Sequence, residues 1–122
     1  MNISYKDPIT IEPVSERVRV MIDGVAIADS TDVIRLKEIG HAPVLYVPIE
    51  DVRAGVLVPT EHSSRCPLKG EANYYSLRLD SGRVIDNAVW QYAHPKPGVP
   101  ELANRVAFYP QFVDDFLIGK DG

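Results

Sequence analysis

An Asp-Gly pair between two apolar runs constrains the fold more than any other feature of this sequence. In residues 18–30, VRVMIDGVAIADS, apolar and other side chains alternate on both sides of Asp23-Gly24. This pair suits a two-residue type I′ turn, in which both central residues need positive φ. Alternation on either side is typical of half-buried strands. The segment therefore predicts an antiparallel β-hairpin.

The rest of the chain favours short strands over helices. The 122 residues include ten prolines and eight glycines, with valine and isoleucine abundant between them. Pro48 followed by Glu50 and Asp51 predicts one or two helical turns. The tail QFVDDFLI fits a short helix or a closing strand, and residues 60–70 are expected to be a polar loop. Further strands are expected at residues 33–38, 44–47, 74–80 and 106–109.

These signals predict an all-β, mainly antiparallel fold of two small packed sheets with one or two short helices. The chain length suits a single domain over residues 1–122. Within it, residues 1–16 are expected to form an extended N-terminal arm and residues 17–118 the β core.

Charge and hydropathy exclude several partners. The net charge is −4 and the thirteen Lys and Arg residues are scattered, so no basic surface for nucleic acid is expected. No run approaches the about 20 apolar residues of a membrane span, and the N-terminus lacks a secretory-signal pattern. We expect a cytoplasmic protein that is a monomer or a homodimer.

The metal-binding residue types are few and widely spaced. Cys66 is the only cysteine, so neither an internal disulfide nor a CxxC zinc motif is available. His41, His62 and His94 show no HxH or HxxxH spacing. We therefore expect neither a metal nor a cofactor.

Several ordered motifs resemble one bacterial family. VRVMIDGVAIADS, PVLYVPIEDV, CPLKGEANYYSL, AVWQYAHP and RVAFYPQFVD resemble, over about residues 8–116, the family known as domain of unknown function 427. The resemblance implies a β-tent or Mss4-like fold, in which two antiparallel sheets lean together. Relatives with that architecture often hold zinc with two CxxC pairs, which this chain lacks.

Some members of that family carry a nucleotidyltransferase label. Such enzymes use a Gly-Ser loop and an acidic pair that holds magnesium. The only adjacent aspartate pair here is Asp114-Asp115, and neighbouring side chains on a strand point to opposite faces. The sequence therefore does not predict a nucleotidyltransferase.

The elbow from Cys66 to Gly70 is the first candidate site. Pro67 rigidifies the turn and Gly70 permits unusual backbone, so Cys66 and Lys69 would be presented at fixed positions. A nearby lysine favours a thiolate. The alternative is a structural elbow in which Cys66 is a small buried apolar residue.

Aromatic residues form the second candidate element. Trp90 and Tyr92 share one face of a strand, and Tyr75 lies on a neighbouring strand. They are either ordinary core residues or the wall of a pocket that orients a ligand.

The combined prediction is a small-molecule site between the sheets. Arg65 and Lys69 would favour an anionic group, and the aromatic residues would pack against a planar one. One alternative is a hydrolase or transferase that uses Cys66, Glu38 or Asp51 as its reactive group. The other alternative is a protein-interaction or homodimerisation module.

Overall fold

The computed structural model describes residues 8–119, which form ten strands and three single turns of 3₁₀ helix. Every strand pairing is antiparallel, which confirms the predicted fold class. No helix in this part of the chain has the length and apolar character needed to cross a membrane. The strands are β1 (Ile9–Val14), β2 (Val18–Ile22), β3 (Val25–Ser30), β4 (Val33–Glu38), β5 (Val44–Pro48), β6 (Leu57–Cys66), β7 (Gly70–Arg78), β8 (Val84–Gln91), β9 (Arg105–Phe108) and β10 (Asp115–Ile118). The 3₁₀ turns are Ile49–Asp51, Pro100–Leu102 and Pro110–Phe112.

The Asp-Gly hairpin forms as predicted. Asp23 and Gly24 have φ of 52° and 77°, the left-handed conformation of a type I′ turn. Val18, Val20 and Ile22 of β2 are each no more than 1% exposed, because the alternation directs them into the core. The hairpin belongs to a three-stranded sheet of order β10-β2-β3. The ambiguous tail therefore contains a closing strand, β10, which follows the 3₁₀ turn at Pro110–Phe112.

The other seven strands form one large sheet of order β1-β4-β5-β9-β8-β7-β6. Strand β4 has the boundaries that the apolar pattern predicts. Residues 9–14 of the predicted N-terminal arm form β1, the edge strand that pairs with β4. Residues 1–7 of that arm lie outside the described residues.

The predicted polar loop at residues 60–70 is wrong. Strand β6 continues to Cys66, and only residues 67–69 form the turn that leads into β7. Apolar alternation fails to predict β6 because this strand lies at the sheet edge and most of its side chains are exposed. Backbone pairing with β7 defines the strand without any need for a buried face.

The large sheet contributes apolar side chains to a core on each of its faces. One face packs against the three-stranded sheet and forms a core with residues such as Val20, Val47 and Val89. The other face forms a second core around Leu36, Tyr46 and Leu102, with no contribution from the three-stranded sheet. The same sheet therefore contributes to two separate hydrophobic cores, one on each face.

The large sheet is strongly curled. Glu38 ends β4 and Lys69 lies in the β6–β7 turn, four strand positions away in the sheet order. In a flat sheet that separation is roughly 19 Å. The Lys69 Nζ and Glu38 Oε1 atoms are nevertheless 2.8 Å apart. The second core therefore lies on the concave face of the curl.

Candidate functional site

A cavity of about 320 Å³ lies on the concave face of the large sheet, away from the three-stranded sheet. It adjoins the second core, and its wall combines aromatic rings with one ion pair. The lining residues are Leu36, Glu38, His41, Ala42, Val44, Tyr46, Cys66, Lys69, Tyr74, Trp90, Tyr92 and Tyr109. This cavity therefore does not lie between the two sheets, where a ligand site is predicted.

The turn between β6 and β7 is held in place by the loop that follows β8. Gly70 has φ of 118°, and a Cβ atom on it would lie 3.3 Å from the His94 carbonyl oxygen. The Lys96 amide donates a hydrogen bond to the Lys69 carbonyl at 3.0 Å. Glycine at position 70 therefore permits a close approach that positions Cys66 and Lys69.

Lys69 and Glu38 form an ion pair at the cavity. Their side chains are only 11% and 20% exposed. Lys69 Nζ also donates to Cys66 Sγ at 3.5 Å, whereas Glu38 Oε2 is 4.0 Å from His41 Nε2, too long for a hydrogen bond. The pair therefore presents a carboxylate oxygen that can still accept a hydrogen bond.

Burial and hydrogen bonding act in opposite directions on the pKa of the Cys66 thiol. Burial raises the pKa of Cys66, but the backbone amides of Leu68 and Lys69 and the Lys69 ammonium together lower this pKa below its usual value. Burial, and then the charge of Cys66, raises the pKa of Tyr92 to about 12. Tyr92 therefore keeps its proton and can donate it in a hydrogen bond.

Aromatic rings form the rest of the wall. Trp90 lies 4.5 Å from Tyr109 between ring centroids, and its Nε1 donates to the Tyr46 hydroxyl at 3.2 Å. The rings of Tyr74 and Tyr109 are nearly parallel, with centroids 6.5 Å apart. Burial raises the pKa of Tyr46 and raises that of Tyr109 to about 12. These hydroxyls are consequently neutral near pH 7.

The structure brings five of the predicted site residues together. Those that line the cavity are Glu38, Cys66, Lys69, Trp90 and Tyr92. They come from five places in the chain, namely the end of β4, the end of β6, the β6–β7 turn, β8 and the residue after β8. The curl of the sheet is what makes them neighbours.

Three other predicted site residues lie elsewhere. Arg65 precedes Cys66 on β6 and is exposed, because adjacent side chains on a strand point to opposite faces. Tyr75 packs in the core between the sheets and its hydroxyl donates to Gln91 Oε1 at 2.8 Å. Asp51 accepts a hydrogen bond from Ser30 Oγ at 2.6 Å and does not line the cavity.

Tyr74 lines the cavity, whereas the predicted set of site residues contains its neighbour Tyr75 instead. Cys66 pairs with Gly70, and Ser64 pairs with Ala72. Residues paired across antiparallel strands share a face, so Tyr74 lies on the same face as Cys66. If the turn between β6 and β7 is placed correctly at residues 67–69, the pairing predicts Tyr74, and not Tyr75, on the face of Cys66.

The three histidines take different positions. His41 lines the cavity, and the His62 ring packs on Tyr74 with 4.4 Å between centroids. His94 contributes its carbonyl oxygen to the packing around Gly70. Within residues 8–119, no three His, Cys, Asp or Glu side chains converge as a metal site would require.

Comparison with known proteins identifies the family. A family model described as Domain of unknown function (DUF427) matches residues 10–119. A search of curated proteins finds no match. Because the match spans nearly the whole chain, the protein belongs to the DUF427 family.

Proposed function

We propose that this domain binds a planar small molecule that carries a hydrogen-bond donor beside an acceptor. The observation that carries the proposal is the Glu38–Lys69 pair next to the aromatic wall of one cavity. The free oxygen of Glu38 accepts from the ligand. Of the three N–H groups of Lys69, two point to Glu38 and Cys66 within the described residues, which leaves the third for the ligand.

The charge balance favours a neutral ligand over an anionic one. Lys69 is neutralised by Glu38 at 2.8 Å. Arg65, the other predicted cation, points away from the cavity. Of the two predicted ligand classes, the planar one therefore has the stronger support.

The aromatic wall suits a flat ring system. Trp90, Tyr74 and Tyr109 line the cavity, and flat groups gain both burial and favourable ring geometry against aromatic side chains. A volume of about 320 Å³ lies at the lower end of the range for ligand sites. One ring or a fused pair with a short polar edge matches these dimensions.

Benzamide is a suitable probe because its primary amide offers a donor and an acceptor on a planar ring. Trp90 is the only tryptophan, so quenching of its fluorescence reports on the cavity directly. We expect benzamide to quench Trp90 with a saturable curve in the native protein. We expect Glu38→Gln to weaken binding about tenfold, since a charged acceptor is replaced by a neutral one.

Glu71→Gln is the matched control. Glu71 is an exposed carboxylate on β7, next to Gly70, and it does not line the cavity. Equal effects of the two Glu→Gln changes, or no saturable quenching in the native protein, would contradict the proposal.

A second candidate function is thiol-dependent catalysis on the bound molecule. The lowered pKa of Cys66 and the neighbouring N–H donors favour a nucleophilic thiolate. Once a turnover assay exists, Cys66→Ser should abolish activity and leave benzamide binding intact. Full activity in Cys66→Ser would eliminate this candidate.

We also propose a fold class and a cellular setting for this domain. The two antiparallel sheets support the β-tent or Mss4-like class. The resemblance to a bacterial family supports a bacterial source, and a single cysteine that can form no internal disulfide is compatible with the cytoplasm. Localisation of a tagged chain by cell fractionation tests the second point.

A further inference from the structure

A second cavity of about 250 Å³ lies between the large sheet and β10. It is on the side of the large sheet opposite the first cavity. Its lining residues are Arg35, Pro43, Val44, Leu45, Trp90, Phe108, Pro110, Phe116 and Ile118.

The second cavity is apolar. Arg35 is its one charged lining residue among those described, and the Arg35 guanidinium is 3.3 Å from the Glu12 carboxylate on β1. The other lining residues are proline, aliphatic or aromatic. Such a surface gains free energy by covering hydrocarbon and offers little to a polar group.

The two cavities meet at Val44 and Trp90, which line both. Strands β5 and β9 pair at Val47–Val106 and Pro48–Arg105, and residues 44–46 of β5 have no ladder partner on β9. Val44 lies at this end of β5. The two cavities therefore adjoin at Val44 and Trp90.

The cross-strand partner of Trp90 on β9 is a small residue. Ala107 on β9 pairs with Trp90 and lies between β8 and β5 in the sheet order. A methyl side chain there leaves space for the indole to reach Tyr46 on β5, to which it donates a hydrogen bond. The indole thereby forms part of the boundary between the two cavities.

We propose that the two cavities hold a single ligand, with its planar polar head in the first and a hydrocarbon extension in the second. This inference rests on the proposed function and narrows the ligand class to ring compounds that bear an amide-like edge and an alkyl chain. The polar head meets Glu38 and Lys69. The chain passes Trp90 and Val44 and ends near Phe116 and Ile118.

The test uses benzamide and its 4-ethyl, 4-butyl and 4-hexyl derivatives, with Trp90 fluorescence as the readout. Each methylene that becomes buried should tighten Kd about fourfold, which gives about fifteenfold between the ethyl and butyl compounds. The gain should level off once the chain fills the second cavity. A flat series, with benzamide itself still bound, overturns this inference and leaves the proposed function standing. Absence of saturable quenching by every compound overturns both.

Two rim variants locate the chain. Ile118 is 40% exposed and Pro43 is exposed, so Ile118→Glu and Pro43→Glu place a charge at the second cavity with little effect on the core. Each should flatten the dependence of Kd on chain length. Val84→Glu is the control, because Val84 is 54% exposed and lines neither cavity. Full chain-length dependence in both rim variants, with folding verified by circular dichroism, would place the chain elsewhere and overturn the inference.

Discussion

The ammonium of Lys69 lies 2.8 Å from the carboxylate of Glu38, although the strands that present them are four positions apart in the sheet. The contact joins the end of β4 to the β6–β7 turn across the concave face. The ion pair that lines the cavity therefore forms only because the sheet is curled.

Removal of one member of this pair should destabilise the fold. Lys69→Met leaves the Glu38 carboxylate mostly buried without its cation, and we expect a loss of about 1–3 kcal/mol in the free energy of unfolding. Urea denaturation measures this loss. The double variant Glu38→Gln/Lys69→Met should recover part of it, because no charge is then left alone. A single variant as stable as the native protein would show that water solvates Glu38 adequately.

Cys66 should react with iodoacetamide at lower pH than an ordinary cysteine. Its pKa is lowered, despite burial, by the Leu68 and Lys69 amides and by the Lys69 ammonium. Lys69→Met should shift the pH profile of alkylation upward. Cys66 is the only cysteine, so Cys66→Ser provides the blank. Profiles that coincide in the native and Lys69→Met proteins would contradict the role of the ammonium.

The same thiol should contribute to the pH dependence of stability. A folded-state pKa below the unfolded one means that the unfolded chain binds more protons between the two values. The contribution is therefore fully present above the unfolded pKa and is lost as pH falls through the folded pKa. Cys66→Ser should remove this part of the pH dependence in urea denaturation. An unchanged dependence would argue that the thiol pKa is the same in both states.

Gly70→Ala should destabilise the elbow that holds Cys66 and Lys69. Alanine disfavours a φ of 118°, and its Cβ would lie 3.3 Å from the His94 carbonyl. We expect a loss of about 1–3 kcal/mol in the free energy of unfolding. Gly98→Ala in the neighbouring loop is the control, since nothing lies within 4 Å of its Cβ position. Equal stability of the two variants would refute the close-approach argument.

Tyr46→Phe should disturb the indole without emptying the core. The hydroxyl that accepts the Trp90 N–H at 3.2 Å is lost, whereas the ring is retained. We expect a cost of about 1–2 kcal/mol and a shift in the Trp90 emission maximum. Tyr75→Phe removes a hydroxyl from the opposite face and should leave the emission maximum unchanged. The reverse pattern would mean that the assigned hydrogen bond is absent in solution.

Local patterns predicted those elements in which a buried face and a defined turn coincide. The hairpin around Asp23-Gly24 and the boundaries of β4 follow from alternation that packing then satisfies. Strand β6 was missed because hydrogen bonding to β7 defines it and its exposed side chains carry no periodic signal.

The candidate site was only partly predictable because its assembly depends on long-range geometry. The turn near Cys66 and the strand of Trp90 were identified locally, but the curl that brings Glu38 to Lys69 has no local signature. Choosing Tyr75 over Tyr74 was an error of face, and only the register of β6 with β7 reveals which side each residue takes. The sequence therefore indicates which segments contribute to the site more reliably than it indicates which side chains face it.

The polar character of β6 has a consequence for the behaviour of the chain at high concentration. Strands β1 and β6 are the two outer edges of the large sheet, and such edges are templates for aggregation when they are long and apolar. Pro13 in β1 and Pro59 in β6 each remove one amide donor from the row that an incoming strand would need. The exposed charged and hydroxyl side chains of β6 further disfavour fibre-like growth from that edge.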